Sequence, residues 1–255
     1  MVAFQDIRVG DLQGRAYRVA GTAPRTGSVF VLLHGIGMSH RYFGQLHAKL
    51  DAIGETYALD LPGFGATPQP GEALSVEEYA SFTAEMLARL GVTSCVVVGH
   101  SMGVQFALEL ARQQPSLVSH LVLIGPVVDS RRRTVVQQAI ALALDSLGER
   151  PSTNRIVFGD YLRCGPRRYL TELAAMMDYR TEQKIGEVHT PILVMRGARD
   201  PIAGRQWCEL LAARAPSARF AEVSGGYHVV QESHPQQVLE IIRRFAVVSA
   251  EPGDG

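Results

Sequence analysis

Cysteine is scarce in this chain. The three thiols in 255 residues, Cys95, Cys164 and Cys208, are odd in number and far apart, so they build neither a disulfide framework nor a zinc cluster. Such usage belongs to a reducing compartment, and a cytoplasmic protein is expected. Long apolar runs are missing too: nowhere do about 18 uncharged apolar residues stand together, as a membrane span requires. The opening Met1-Val2-Ala3-Phe4-Gln5-Asp6-Ile7-Arg8 lacks the basic segment and apolar stretch of an export signal. No membrane partner is expected. Net charge is absent as well, since 25 basic side chains balance 25 acidic ones, and no global field draws the chain to nucleic acid or an anionic surface. Phosphate-binding loops are incomplete: Gly35-Ile36-Gly37-Met38-Ser39-His40 lacks the last glycine of a dinucleotide loop, and Gly63-Phe64-Gly65 stops short in the same way. Neither a nucleotide cofactor nor, from the histidine and cysteine spacing, a metal is expected.

What the chain does contain is apolar material in short bursts. Hydrophobic residues make up 46% of the sequence, and a chain of this size hides roughly three-quarters of its unfolded surface, enough for one large core. Strand-like runs at 29–33, 57–59, 94–98, 121–124, 191–195 and 219–223 alternate with amphipathic stretches. Two further short strands fall at 7–9 and 16–19. Ser75-Val76-Glu77-Glu78 reads as a capping box opening a helix that Gly91 stops. Strand and helix in alternation imply right-handed crossovers and a mainly parallel sheet covered on both faces, an α/β fold. The rhythm lapses between Pro126 and Val188, where helices at 134–147 and 168–179 are separated by Gly148, Pro151, Gly165 and Pro166. The tail, residues 249–255, is expected to fray.

Gly99-His100-Ser101-Met102-Gly103 follows the run Ser94-Cys95-Val96-Val97-Val98 and precedes a helix without breakers. A strand that breaks at a serine and re-enters as a helix presents that hydroxyl on a strained turn, and the flanking glycines let strand and helix approach closely. A serine hydroxyl is a weak nucleophile at neutral pH and needs a base. Among eight histidines, His228 stands out, because Gly225-Gly226-Tyr227-His228 follows a strand and so lies at the carboxyl edge of the sheet. His100 and His34 read as packing residues under the turn and the glycine loop. His234 opens the last helix, and His40, His47, His120 and His189 have surface or packing readings.

From about Val29 to Val248 the sequence resembles the α/β-hydrolase fold family. The likeness implies a mostly parallel central sheet flanked by helices, with a helical cap inserted at 127–188 into a core formed by 1–126 and 189–255. It also implies serine, acid and histidine in that chain order, which Ser101, Asp200 and His228 follow. Asp200 ends Arg196-Gly197-Ala198-Arg199-Asp200 directly after a strand; Asp129, after the preceding strand, is the fallback acid. By the same likeness His34-Gly35-Ile36-Gly37 is an oxyanion loop, with the amides of Ile36 and Met102 as donors. The expected activity is hydrolysis of a small to medium carboxylic ester or lactone through an acyl-enzyme, without a cofactor. A serine at the elbow disfavours relatives that place an aspartate there. The same apparatus serves a thioesterase, an amidase, a carbon–carbon bond hydrolase or an acyltransferase, and a ligand-binding receptor with residual turnover is the rival of a different class. Residues 139–144 and Met176-Met177 are candidates to line a pocket or to pack the cap. Arg131-Arg132-Arg133 reads as a solvated face rather than an anion site.

Overall fold

The computed structural model describes residues 2–19, 28–131 and 134–246. The expected tail and Arg132 and Arg133 lie outside the described residues. Eight strands form one sheet: β1 (Val2–Val9), β2 (Leu12–Val19), β3 (Phe30–Leu33), β4 (Thr56–Asp60), β5 (Cys95–His100), β6 (Val118–Ile124), β7 (Ile192–Gly197) and β8 (Ala218–Val223). Their order is β1-β2-β4-β3-β5-β6-β7-β8. The β1–β2 and β2–β4 pairs are antiparallel, and every pair from β4 to β8 is parallel. Strands β1 and β2 run longer than the expected short pieces, because the hairpin ladder continues from Val9↔Leu12 to Val2↔Val19 even where the β1 side chains are exposed.

Period-two alternation sorts each central strand between two layers. Val31, Leu33, Val97, Leu121, Leu123 and Val194 point into one apolar layer; Phe30, Leu32, Val96, Val98, Val122 and Ile124 point into the other. A sheet covered on both sides explains why these strands read as unbroken apolar runs. The helices are α1 (Gly44–Asp51), α2 (Val76–Arg89), α3 (Gly103–Gln113), α4 (Val135–Gly148), α5 (Pro151–Cys164), α6 (Pro166–Asp178), α7 (Thr181–Lys184), α8 (Arg205–Arg214), α9 (Val230–Ser233) and α10 (Pro235–Ala246). The capping box forms as read: Glu78 N–H donates to Ser75 Oγ (3.1 Å) and Ser75 N–H to Glu78 Oε2 (2.8 Å).

Helices α4 to α7 occupy the interval between β6 and β7. Helix α5 is absent from the sequence expectation. Its Ser, Thr, Asn, Val and Gly content gives weak intrinsic propensity, yet Thr153, Val157 and Asp160 are buried at helical spacing and Pro151 sits in its first turn. Tertiary packing therefore makes this helix. The insert is fastened to the core at several points. Ser39 Oγ donates to Asp160 Oδ2 (2.6 Å), Gln105 Nε2 donates to the Met176 carbonyl (2.9 Å), and Arg168, ion-paired with Glu172 at 2.8 Å, donates to the Pro62 carbonyl (3.0 Å). No helix among the described residues is long and apolar enough to cross a membrane.

Candidate active site

Ser101 follows the last residue of β5 with φ of 57°, a left-handed conformation that costs an L-residue about 1–2 kcal/mol. Backbone bonds hold it there: Ser101 N–H donates to the Ile124 carbonyl (3.0 Å), and its own carbonyl accepts from Val104 N–H (3.0 Å). A Cβ at Gly99 would strike the Gly103 carbonyl, and one at Gly103 would strike the Leu33 carbonyl. Both glycines are thus required by the close approach of β5, α3 and β3, and their lack of side chains is what lets the turn form.

Asp200 lies three residues past β7, and His228 lies in the loop after β8. Both are buried. His228 Nδ1 stands 2.8 Å from Asp200 Oδ2; a carboxylate only accepts, so Nδ1 carries the proton. The other oxygen, Asp200 Oδ1, accepts from Ile202 N–H (2.8 Å) and Ala203 N–H (2.9 Å). Arg196 braces the turn from β7 by donating to the Ala203 carbonyl (2.6 Å) and the Asp200 carbonyl (2.8 Å). Burial opposes a charged imidazole, but the Asp200 carboxylate, joined by Asp145 and Glu149, outweighs it and pushes the His228 pKa up to about 9. Burial likewise opposes the Asp200 charge, yet His228 and the two backbone donors hold its carboxyl below the usual range. The imidazole rests on Gly125, the residue after β6, where a Cβ would lie 2.9 Å from His228 Cε1. Ser101 and His228 line one cavity. Among the described residues the Ser101 hydroxyl is not hydrogen-bonded to the imidazole.

Beneath the turn a chain of buried hydrogen bonds joins the glycine loop to the histidine loop. Gly35 N–H donates to Tyr42 Oη (2.6 Å), Tyr42 Oη lies 2.9 Å from His100 Nδ1, and His100 Nε2 lies 3.0 Å from the His228 carbonyl. Because that carbonyl only accepts, Nε2 is the donor, and His100 Nδ1 accepts from the tyrosine as a neutral ring. Burial, with His228 nearby, pushes the His100 pKa down to about 3. His34 does the same for the loop's other side: Nδ1–H donates to the Gly35 carbonyl (2.9 Å), and Nε2 accepts from Leu61 N–H (3.3 Å). Both histidines pack, as their sequence contexts indicate. His40 packs as well: its ring stacks on Tyr17 at 3.4 Å, and Nδ1 lies 3.1 Å from the buried Asp60 carboxylate. Among the described residues, the N–H groups of Ile36 and Met102 are not consumed by turn or loop hydrogen bonds, although both residues are buried.

The cavity holds about 980 Å³, and its wall combines the sheet edge with α4, α5 and α6. Leu142, Ala143 and Met176 line it as expected, whereas Ile140 and Leu144 are 56% and 55% exposed; the side chain of Ala139 lies outside the described residues. Tyr161, Tyr169 and Leu173 add to the apolar wall. Asp129 does not join the histidine. Its Oδ1 accepts from Arg131 N–H (3.0 Å) and its Oδ2 lies 3.1 Å from the Arg131 guanidinium. Arg131 is exposed, as expected of a solvated face, but it is also spent on this ion pair and on Gln206. Sequence reading missed the roles of Tyr42, Arg196, Asp145 and Glu149: Tyr42, Asp145 and Glu149 are found through contacts with distant segments, and Arg196 through bonds to backbone carbonyls four and seven residues on.

An eight-stranded, mostly parallel sheet with a serine elbow and loops gathered at the strands' carboxyl ends defines an α/β hydrolase. Residues 30–241 match the model of the alpha/beta hydrolase family, and the chain belongs to that family. A pimeloyl-[acyl-carrier protein] methyl ester esterase from Aeromonas hydrophila is 27% identical over 245 residues, covering 86% of this chain and 95% of the relative. An enol-lactonase structure from Burkholderia xenovorans superimposes with a TM-score of 0.82 at 16% identity, over 95% of this chain and all (100%) of the other. A thermophilic esterase from Thermogutta terrifontis does so with 0.81 at 19% identity, over 97% of this chain and 100% of the other. At such identities the structural likeness establishes the fold.

Proposed function

We propose that this chain is a serine hydrolase of carboxylic esters or lactones with an apolar acyl group of medium size, working through an acyl-enzyme. Ser101 Oγ attacks the carbonyl carbon while His228 Nε2 takes its proton. The tetrahedral oxyanion is held by the N–H groups of Ile36 and Met102, and collapse expels the alcohol with the proton returned from His228. Water, deprotonated by the same imidazole, then attacks the acyl carbonyl and releases the acid. Asp200 holds Nδ1–H, which leaves the Nε2 lone pair facing the cavity and stabilises the imidazolium between steps.

The observation that carries this reading is the buried Asp200–His228 pair at 2.8 Å, whose histidine lines the same apolar cavity as Ser101. Helices α4 to α6 act in this reading as a cap that encloses the acyl chain. The esterase and lactonase names among the relatives agree with the substrate class. The experiment is turnover on a panel of p-nitrophenyl esters of increasing chain length, with lactones, thioesters and amides alongside, and fluorophosphonate labelling mapped by mass spectrometry. The expected result is multiple turnover on medium-chain esters or lactones and an adduct on Ser101. Absence of any adduct on Ser101 under conditions where the protein is folded overturns it.

A further inference from the structure

The insert is anchored to the core through Asp160, Arg168 and Gln105, whose bonds run to Ser39, Pro62 and Met176. Its first helix nevertheless makes a separate contact with the loop that carries His228. Asp145 lies in the last turn of α4 and Glu149 is the extended residue that caps it, its N–H donating to the Asp145 carbonyl (2.9 Å). Asp145 Oδ1 accepts the backbone N–H of His228 (2.8 Å), and Glu149 Oε1 accepts that of Val229 (2.7 Å). Between them Gly148 lies flat against Tyr227, whose ring occupies the space that any Cβ at 148 would need. One helical turn therefore grips three consecutive residues. Helix α5 is tied to the same turn, since Asn154 Nδ2 donates to the Ser146 carbonyl (2.7 Å).

Two carboxylates in an apolar wall are an expensive way to satisfy two amides. Asp145 is 3% exposed and Glu149 8%, and burial raises both carboxyls, Asp145 to about 6. A backbone carbonyl or a hydroxyl accepts an N–H without carrying charge. What a carboxylate adds is a stronger, charge-assisted bond and a negative potential at the imidazole. We infer that the last turn of α4 is a positioning clamp: Asp145 and Glu149 hold His228 in place through the backbone of its loop, so that seating the insert and placing the base are one event. This rests on His228 being the base.

Asp145 and Glu149 are positioning residues, since they reach the reacting atoms through the histidine. The charged and titratable groups around the imidazole are Asp200 from the loop after β7, His100 from β5, and Asp145 and Glu149 from α4. Those facing Asp145 are His228, Asp200, Glu149 and, from α5, Tyr161. Glu149 faces His228, Asp200 and Asp145.

Asp145→Asn and Glu149→Gln each keep an oxygen acceptor but remove a charge, and Asp145→Ala removes both. The imidazole titration of His228 is followed by NMR in the full chain, assigned with His228→Gln. The expected result is a midpoint moved to lower pH in Asp145→Asn and in Glu149→Gln, and further in the double variant. Asp145→Ala is expected to lose turnover by about 10²-fold, as for a displaced catalytic group, with most of the loss recovered in Asp145→Asn. Midpoints unmoved in both charge-removing variants overturn the clamp, and they do so without Asp145→Ala having to fold. Turnover that survives in His228→Gln overturns the assignment of the base instead; the titration needs no turnover, so the two failures are distinguishable.

Discussion

Replacing Asp200 by asparagine tests the proton path at one atom. Asp200 Oδ1 accepts two backbone donors, from Ile202 (2.8 Å) and Ala203 (2.9 Å), so in Asp200→Asn the amide oxygen must stay on that side. The amide NH₂ then faces His228 Nδ1, where a carboxylate oxygen stood at 2.8 Å. Two donors cannot meet across that distance. The imidazole therefore gives up the proton on Nδ1 and carries it on Nε2, the atom that must accept from Ser101. The same reversal in serine proteases lowers turnover about 10⁴-fold, or roughly 5.4 kcal/mol of barrier. The assay is kcat on the best ester of the panel, with thermal unfolding to show that the variant is folded. Asp129→Asn serves as comparison, because that carboxylate is engaged with Arg131 and its loss is expected to change kcat by less than about tenfold. An Asp200→Asn enzyme that keeps more than about a tenth of its turnover, beside a crippled Asp129→Asn, refutes the tautomer argument and moves the acid to Asp129.

The pH dependence carries its own sign. A base must be neutral, so kcat/KM is expected to rise as His228 loses its proton, with an acid limb above the ordinary 6.5 and toward about 9; a limb below 6.5 contradicts the electrostatics. The same pair stabilises the fold most fully below 6.5, and that contribution fades as pH climbs through about 9. Chemical denaturation of wild type and His228→Gln across this window measures it. At the elbow, Ser101→Ala and Ser101→Gly are both expected to abolish turnover, but glycine relieves the positive φ of 57° and should leave the protein about 1 kcal/mol more stable than alanine does; equal unfolding midpoints refute the strain. In the insert, Arg168→Met leaves the buried Glu172 carboxylate without its countercharge at 2.8 Å and with only the Tyr79 hydroxyl (2.9 Å) still donating to it, and a loss of about 3–5 kcal/mol is expected in denaturant titration. A loss under about 1 kcal/mol would show that the ion pair contributes no more than a surface one.

The alternation of apolar runs with amphipathic stretches was enough to specify a mostly parallel, doubly covered sheet, because buried parallel strands must be apolar on both faces. The pentad around Ser101 was enough to place a sharp turn at the end of β5. Glycine content there is a direct record of backbone approach, and helix starts such as Ser75 carry their hydrogen bonds within four residues. These features are local in sequence, and so they can be read from it. Helix α5 is different, since its composition argues against it and only the burial of Thr153, Val157 and Asp160 sustains it. Tertiary structure likewise separates Asp200 from Asp129: both follow strands, but one carboxylate meets an imidazole and the other an arginine. Tyr42, Arg196, Asp145 and Glu149 carry no motif, because their partners lie far along the chain or are backbone atoms whose identity no side chain records. Short-range constraint writes itself into sequence; convergence of distant segments on one imidazole exists only once the chain has folded.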